Sequence, residues 1–277
     1  SRFNDPLLVD LIAAAQKSSG TLAQAAATIE RARAEAIAAG VAASPNLDGI
    51  ASANRSAFTL GGPVALRSQS QAGIQSSWEI DLFGGLARQR EAAQARVQAD
   101  VAQWHDARVS LAAEVANAYI GLRHCEVQRD RARSDAESRA ETVRIVATAV
   151  RAGLQSAASL ALAQAAAAEA TSALVQREAQ CNVAIKGLVA LTELPEGTLR
   201  DRLAQGGSAR FPEPATFQVD AIPARVIAQR PDVAAAERRL AAASADIGSA
   251  QAQSYPRLSL SGSITPTRIA VGTSPAL

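Results

Sequence analysis

Two cysteines, Cys125 and Cys181, and two histidines, His105 and His124, are the only thiols and imidazoles in this 277-residue chain. Those residue types serve nucleophilic, metal and redox chemistry. A catalytic nucleophile needs a base within hydrogen-bond reach and a third group to orient that base; no such set stands out around either histidine. His124 and Cys125 are neighbours, so on a helix they point in different directions and make a poor ligand pair. No glycine-rich phosphate loop follows a strand pattern. Asp232 sits in "RPDV" (Arg230–Val233). Pro231 suits the first turn of a helix and Asp232 its positive end, so this acid marks a helix boundary, not a catalytic group. No enzymatic activity, cofactor or metal is expected. The chemistry left is the joining of two thiols.

Joining them requires elements that bring them together. From Phe83 to Val150 the chain has no proline, and beyond its "FGG" start Gly121 is the only glycine. Apolar or small residues recur at three- and four-residue spacing: Val97, Val101, Trp104, Leu111, Val115, Ala118, Leu122, Cys125, Ala132, Ala136, Val143, Ala147 and Val150. Such a stripe is heptad-like, and a helix of this length would span roughly 100 Å. It breaks at "RAGLQS", Arg151–Ser156, where Gly153 is a helix stop and Ser156 a cap for the next helix. A second seam follows through Leu160, Ala163, Ala167, Ala170, Leu174, Cys181, Ala184, Leu188 and Leu191, ending before Pro195. Cys125 lies 28 residues before Gly153 and Cys181 lies 28 after it. In an antiparallel hairpin turning at Gly153 they meet at one height on facing seams. An oxidising compartment would make them a disulfide; otherwise they are two small buried thiols.

Composition agrees with long, thin helices. Aromatics are 3%, Met is absent, and alanine is about a quarter of the chain. Alanine favours helix and buries little area, so a thick core is not expected. The net charge of +2 is small, and its charges are interspersed, which argues against a nucleic-acid partner. No run of 18 apolar residues is present, so no transmembrane helix is expected.

A short pattern of helix, proline and strand occurs on both sides of the hairpin. A shift of 211 positions places Ala23, Ala32, Ala39, Pro45, Leu47 and Ser52 on Ala234, Ala243, Ala250, Pro256, Leu258 and Ser263. The proline pair Pro45 and Pro256 and the leucine pair Leu47 and Leu258 carry most of the weight, since alanine matches come cheaply in alanine-rich helices. The pattern implies a fold built by duplication, with the second copy incomplete. Between Pro45 and Ile80 the helix signal disappears. Leu47, Gly49, Ala51 and Ala53 share one strand face, and Ala72, Ile74, Ser76, Trp78 and Ile80 share another, with a turn at Gly61–Pro63. Weak alternation of this kind suits a lipid-facing barrel strand with Trp78 as an interface anchor. On the residues alone an ordinary soluble hairpin or a polar loop is the favoured reading over a barrel strand.

The order of these parts resembles the TolC-like outer membrane factors, in particular the NodT-type outer membrane efflux lipoproteins. "WEIDLFGG" (Trp78–Gly85) is similar to their strand-to-helix junction, and "AEVANAYIGLR" (Ala113–Arg123) to the middle of their first long helix. "RAGLQS" resembles their hairpin tip and "ALTELP" (Ala190–Pro195) the helix end that follows. "QRPDVAAAERRLAAASADIGSAQAQSYPRLSLSG" (Gln229–Gly262) is the most specific stretch and resembles the start of their second repeat. The resemblance runs from about Asp5 to Gly262.

It implies a mainly α fold: a long antiparallel helical hairpin with a short β-hairpin contributed to an outer-membrane barrel. The expected divisions are N-terminal helices over 1–44, barrel strands over 45–80, the helical hairpin over 81–194, an equatorial linker over 195–221, the first helices of the second repeat over 222–254 and the start of its strand over 255–277. A homotrimer in the outer membrane with a periplasmic extension would form a passive export duct. A periplasmic adaptor and an inner-membrane pump would dock on its tip, and by position Arg151, Gly153, Leu154 and Ser156 are the tip residues. Drugs, organic acids and metal ions all remain open as cargo. A signal peptide and a lipid-modified cysteine, usual in the family, are not in this sequence, and half of the duplicated fold is expected to be missing; such a piece would be soluble or would associate through its open strand edges. A periplasmic adaptor or a coiled-coil scaffold is the alternative. An adaptor would flank its hairpin with lipoyl-like half-motifs, which are not found here, and a plain coiled coil does not explain the duplicated pattern.

Overall fold

The computed structural model describes residues 5–58, 65–205 and 229–273. The turn expected at Gly61–Pro63, the linker from position 206 onward and the first positions of 222–254 lie outside the described residues. In chain order the elements are α1 (Pro6–Ser18), α2 (Gly20–Val41), β1 (Asn46–Phe58), β2 (Ala65–Ile80), α3 (Gly85–Arg151), α4 (Ala157–Thr192), α5 (Glu196–Gln205), α6 (Pro231–Ala252), β3 (Leu258–Ile264) and β4 (Thr267–Thr273). They sort into two compact units, one of Ser1–Ala26 with Trp104–Ile227, the other of Ala27–Gln103 with Ala228–Leu277.

The first unit holds the helical hairpin. Every seam position read from the sequence of α3 and α4 is buried or half-buried. Because those seams are mostly alanine, the large apolar side chains are concentrated elsewhere. Leu8, Leu11 and Ala15 of α1, Val115, Tyr119 and Leu122 of α3, Ile185 and Leu188 of α4, and Leu199 and Leu203 of α5 form one core cluster. The first part of the 195–221 span, expected only as a linker, is helical, forming α5. Glu196 lies in its first turn, and Leu199 and Leu203, one turn apart, are buried in this cluster.

Arg123 runs through the cluster with a relative exposure of 1%. Its Nη1 donates to Glu126 Oε2 at 2.8 Å, its Nε to Tyr119 Oη at 3.2 Å, and its Nη2 to the Leu203 carbonyl at 3.4 Å. That carbonyl belongs to the last turn of α5. Tyr119 in turn donates to Asp5 Oδ2 at 2.7 Å, while Asp5 Oδ1 accepts from the Leu8 N–H as the cap of α1. One chain of polar contacts therefore ties α1, α3 and α5. Burial raises the Tyr119 phenol above its ordinary pKa, which keeps it a hydrogen-bond donor.

Further along the hairpin, Cys125 and Cys181 are bonded, with Cα atoms 5.6 Å apart. Arg133 pairs with Glu178 across the same two helices at 3.1 Å.

The second unit holds the sheet and the helices beside it. Ala92, Ala93, Ala95 and Ala99 of α3 are buried, as are Ile29 and Ala32 of α2 and Ala235, Ala242 and Ala245 of α6. Polar ties hold these faces together: Arg90 to the Gly40 carbonyl, Arg96 to Asp246 and Arg238 to Gln98. Helices α2 and α6 begin at Gly20 and Pro231 and end at Val41 and Ala252, so both ends are displaced by the 211 positions of the repeat.

Strand β2 is the centre of the sheet, with β1 antiparallel on one side and β3 and β4 antiparallel on the other. Pairing runs from Ile80↔Leu258 to Ile74↔Ile264 and from Gln71↔Thr267 to Ala65↔Thr273, one register kept through the break. Pro266 accounts for the break, since it has no N–H to give to the ladder. Opposite lies Gly73, where the backbone of Ile264–Thr265 comes so close that a Cβ would overlap the Ile264 carbonyl and stand 2.7 Å from Thr265 Cα.

Three stability measurements test this packing. Gly73→Val should cost about 1–3 kcal/mol in urea unfolding, by forcing the two strands apart; an unchanged midpoint would remove the close-approach argument. Arg123→Met should cost about 3–5 kcal/mol because it strands Glu126, whereas Arg123→Met with Glu126→Met should cost clearly less. Equal losses from both variants would show that the ion pair is not what matters. Replacing Cys125 and Cys181 by Ala should remove about 2–4 kcal/mol. Reductant should lower the parent's midpoint and leave that variant's unchanged.

Candidate functional site

Helix α3 stops because its seam runs into Gly153. There φ is +76°, a conformation that costs an L side chain but not glycine. The Gly153 N–H donates to the Val150 carbonyl at 3.0 Å and the Leu154 N–H to the Ala149 carbonyl at 2.9 Å. This pair of bonds is a Schellman ending. Such endings usually bring the residue after the glycine against an apolar one in the last turn. Here that partner is Ala149, too short to cover its neighbour, and Leu154 stands 79% exposed. Ser156 restarts the helix: its Oγ accepts from the Ser159 N–H at 3.3 Å.

Arg151 donates to Thr148 Oγ1 at 3.1 Å. Nearer the body of α3, the Arg144 guanidinium holds the exposed Glu141 carboxyl below its usual range by a hydrogen bond. Arg151, Gly153, Leu154 and Ser156 thus share one tight turn whose only large apolar group is solvent-exposed. Nothing in it can act as a nucleophile–base pair.

The other sequence-derived positions take mechanical places. Pro45 and Pro256 immediately precede the approaches to β1 and β3, and Pro231 is the first residue of α6. Asp232 lies in the first turn of α6, where a hydrogen bond from Arg230 lowers its pKa. His105 packs edge-on against Trp104, and the His124 ring pairs with Gln128. No three His, Cys, Asp or Glu residues gather into a metal-binding group among the described residues.

The register of the sheet defines two faces. Leu47, Gly49, Ala51 and Ala53 of β1 pair with Ser76, Ile74, Ala72 and Ser70 of β2, so the two sets read separately from the sequence lie on the same face. Leu258, Leu260 and Ile264 join them opposite Ile80, Trp78 and Ile74. Leu47, Ile74, Trp78, Leu258, Leu260 and Ile264 are all exposed. Gln69, Gln71, Gln75 and Glu79 of β2, with Ser259, Ser261 and Ser263 of β3, alternate onto the opposite face. One apolar and one polar exposed face is the pattern of a barrel wall between lipid and a wet lumen. Trp78 lies near the helical end of the apolar face and donates to the Ala43 carbonyl at 3.1 Å. Beyond Ser70 the pattern changes: Arg55 and Arg268 stand on the apolar face, and Phe58, Ile269 and Val271 on the other.

Contrary to the expectation that no helix could cross a bilayer, α4 is long and apolar enough by composition. Its apolarity is largely alanine. It is also bonded through Cys181 to α3 beside Arg129, Asp130, Arg131 and Arg133, a charge cluster that could not follow it into hydrocarbon. The Arg123 chain of contacts, Gly73 and the arginines of the sheet escaped the sequence reading. For the first, a Tyr–Arg–Glu set at i, i+4, i+7 on an apolar seam was the available signal.

Comparison with known proteins bears on both surfaces. The family model for outer membrane efflux proteins matches residues 11–192 and 222–275. Nodulation protein T of Rhizobium leguminosarum bv. trifolii is 27% identical over 96% of this chain and 56% of its own length. The pyoverdine export outer membrane protein OpmQ of Pseudomonas aeruginosa is 28% identical over 95% of this chain and 56% of its own length. The chain thus spans about half the length of these curated relatives. Among solved structures, the outer-membrane channel OprN superimposes with a TM-score of 0.85 at 28% identity, covering 99% of this chain and 64% of that one. With its helical hairpin, two-faced sheet and duplicated helices all inside the matched span, the chain belongs to the outer membrane efflux protein family.

Proposed function

We propose that this chain forms part of an outer-membrane duct for efflux, a passive channel component with no chemistry of its own. The observation that carries the reading is the exposed two-faced sheet, apolar on one side and polar on the other, in a chain that also bears a long helical hairpin. Relatives named for pyoverdine export and toluene efflux point the same way. A sheet with two open edges needs further strands to close, and three copies around an axis would supply them. The hairpin would extend into the periplasm, where an oxidising environment suits the Cys125–Cys181 bond. OpmQ is named as an outer membrane export protein and OprN as an outer-membrane channel, and neither lends anything to the adaptor or scaffold alternative.

In this reading Arg151, Gly153, Leu154 and Ser156 form the docking tip for a periplasmic adaptor, through which an inner-membrane pump delivers cargo. Leu154 is the anchor: an exposed apolar side chain on a rigid turn buries area on docking with little ordering cost. The identity of the cargo belongs to the pump. With a photo-crosslinking residue at Leu154 of the full-length protein, an adaptor should be captured in cells. Leu154→Asp should weaken adaptor binding by about 30-fold, the scale of a single hot-spot loss. Gly153→Trp should abolish export while trimers persist in the membrane. Normal export from that variant, or no crosslink from a correctly inserted trimer, would reduce Arg151–Ser156 to a plain interhelical turn.

A further inference from the structure

Resting on the barrel reading, we propose that Arg55 and Arg268, with the hydroxyls of Ser68 and Ser70 between them, bind the phosphate groups of a lipid headgroup in the outer leaflet of the outer membrane. Arg55 on β1 stands opposite Ser68, and Arg268 on β4 stands opposite Ser70. All four share the apolar face, and together they line one shallow depression. Neither arginine has a hydrogen-bond or ion-pair partner among the described residues. No acid shares that face in β1, β2, β3 or β4. Two unneutralised guanidinium groups on a lipid-facing wall demand an anion from outside the chain.

Their height fits such a source. Ser70 is ten residues along β2 from Ile80, where the sheet meets its helical end. At about 3.4 Å per residue and a strand tilt of about 40°, that is a rise of roughly 25 Å. The apolar band of an outer-membrane barrel is also about 25 Å tall. The arginines therefore lie where hydrocarbon gives way to headgroups. An arginine is costly at the midplane and nearly neutral at this boundary, so the position is tolerable and the missing partner is a headgroup. Strand spacing puts the two backbones roughly 12 Å apart along a diagonal, within which two long side chains can close on one phosphate or hold two. The planar guanidinium suits phosphate oxygens in a bidentate pair, and the serine hydroxyls add neutral donors.

The test uses the full-length protein purified in detergent, with diphosphorylated lipid A as probe and native mass spectrometry as the readout. Barrel formation is checked first by resistance of the trimer to dissociation and by membrane insertion. Failure to insert overturns the barrel reading and this site together. With insertion intact, the parent should retain lipid A, and Arg55→Gln with Arg268→Gln should weaken retention about tenfold or more. Arg55→Lys with Arg268→Lys, which keeps the charge but loses the fork, should fall between them. Dephosphorylated lipid A should bind the parent no better than lipid A binds the Gln variant. Equal retention by parent and Gln variant overturns the phosphate site while leaving the duct reading in place. Displacement of lipid A by millimolar inorganic phosphate overturns the lipid as its occupant and makes it a free-anion site.

Discussion

The helical hairpin depends on one knot of large side chains at its base. Along most of their length α3 and α4 meet through alanine, which permits close approach and contributes little burial per residue. The leucines of α1 and α5, with Val115, Tyr119, Leu122, Ile185 and Leu188, supply the apolar area that the seams lack. Arg123 runs through this knot carrying a charge that must be matched there, since a buried unpaired guanidinium is intolerable. Its three acceptors come from α3 itself and from the end of α5, and Tyr119 passes the chain of contacts on to Asp5. A hydrophobic cluster alone would let the helices slide. Directional bonds at fixed distances do not, and they hold α1 and α5 in place against α3. The Cys125–Cys181 bond, less than one turn beyond Arg123, adds the tie that this chain of contacts does not make, from α3 to α4.

How far this was legible depends on whether the signal was periodic. The long helices, the break at Gly153 and the meeting of the two cysteines follow from spacing alone, because a heptad stripe sets which residues face each other and the glycine sets where the chain reverses. The sheet was half legible. Alternation identified the members of each face, but only pairing shows that Leu47–Ala53 and Ala72–Ile80 lie on the same one. Helix α5 was hidden because ten residues with two leucines carry too little periodicity to stand out beside a proline. The Arg123 network was hidden for another reason. A charged residue in an apolar stripe reads as an interruption until its partners, which come from distant segments, are known. At the tip, the residue types announced a turn. That Leu154 is left uncovered follows from the small size of Ala149, a fact about packing and not about spacing.

The duplication has a physical consequence in the sheet. Strand β1 and its repeat flank the same central strand, so β2 is paired on both edges by copies of one element. Their registers differ. Leu47 stands opposite Ser76, whereas Leu258, its counterpart after the shift of 211, stands opposite Ile80. Successive copies are therefore staggered by four residues along β2. An even stagger keeps apolar residues on the apolar face, since a slip by an odd number would turn every side chain over. A stagger in one constant sense tilts the strands, and tilt with shear is what closing a barrel requires. A sheet that grows by adding further copies under this rule gains tilt with each addition and keeps its two faces distinct. Gly73 and Pro266 belong to the same logic. The proline interrupts the ladder of the added strand, and the glycine lets the interrupted backbone approach closely enough that the register survives the gap.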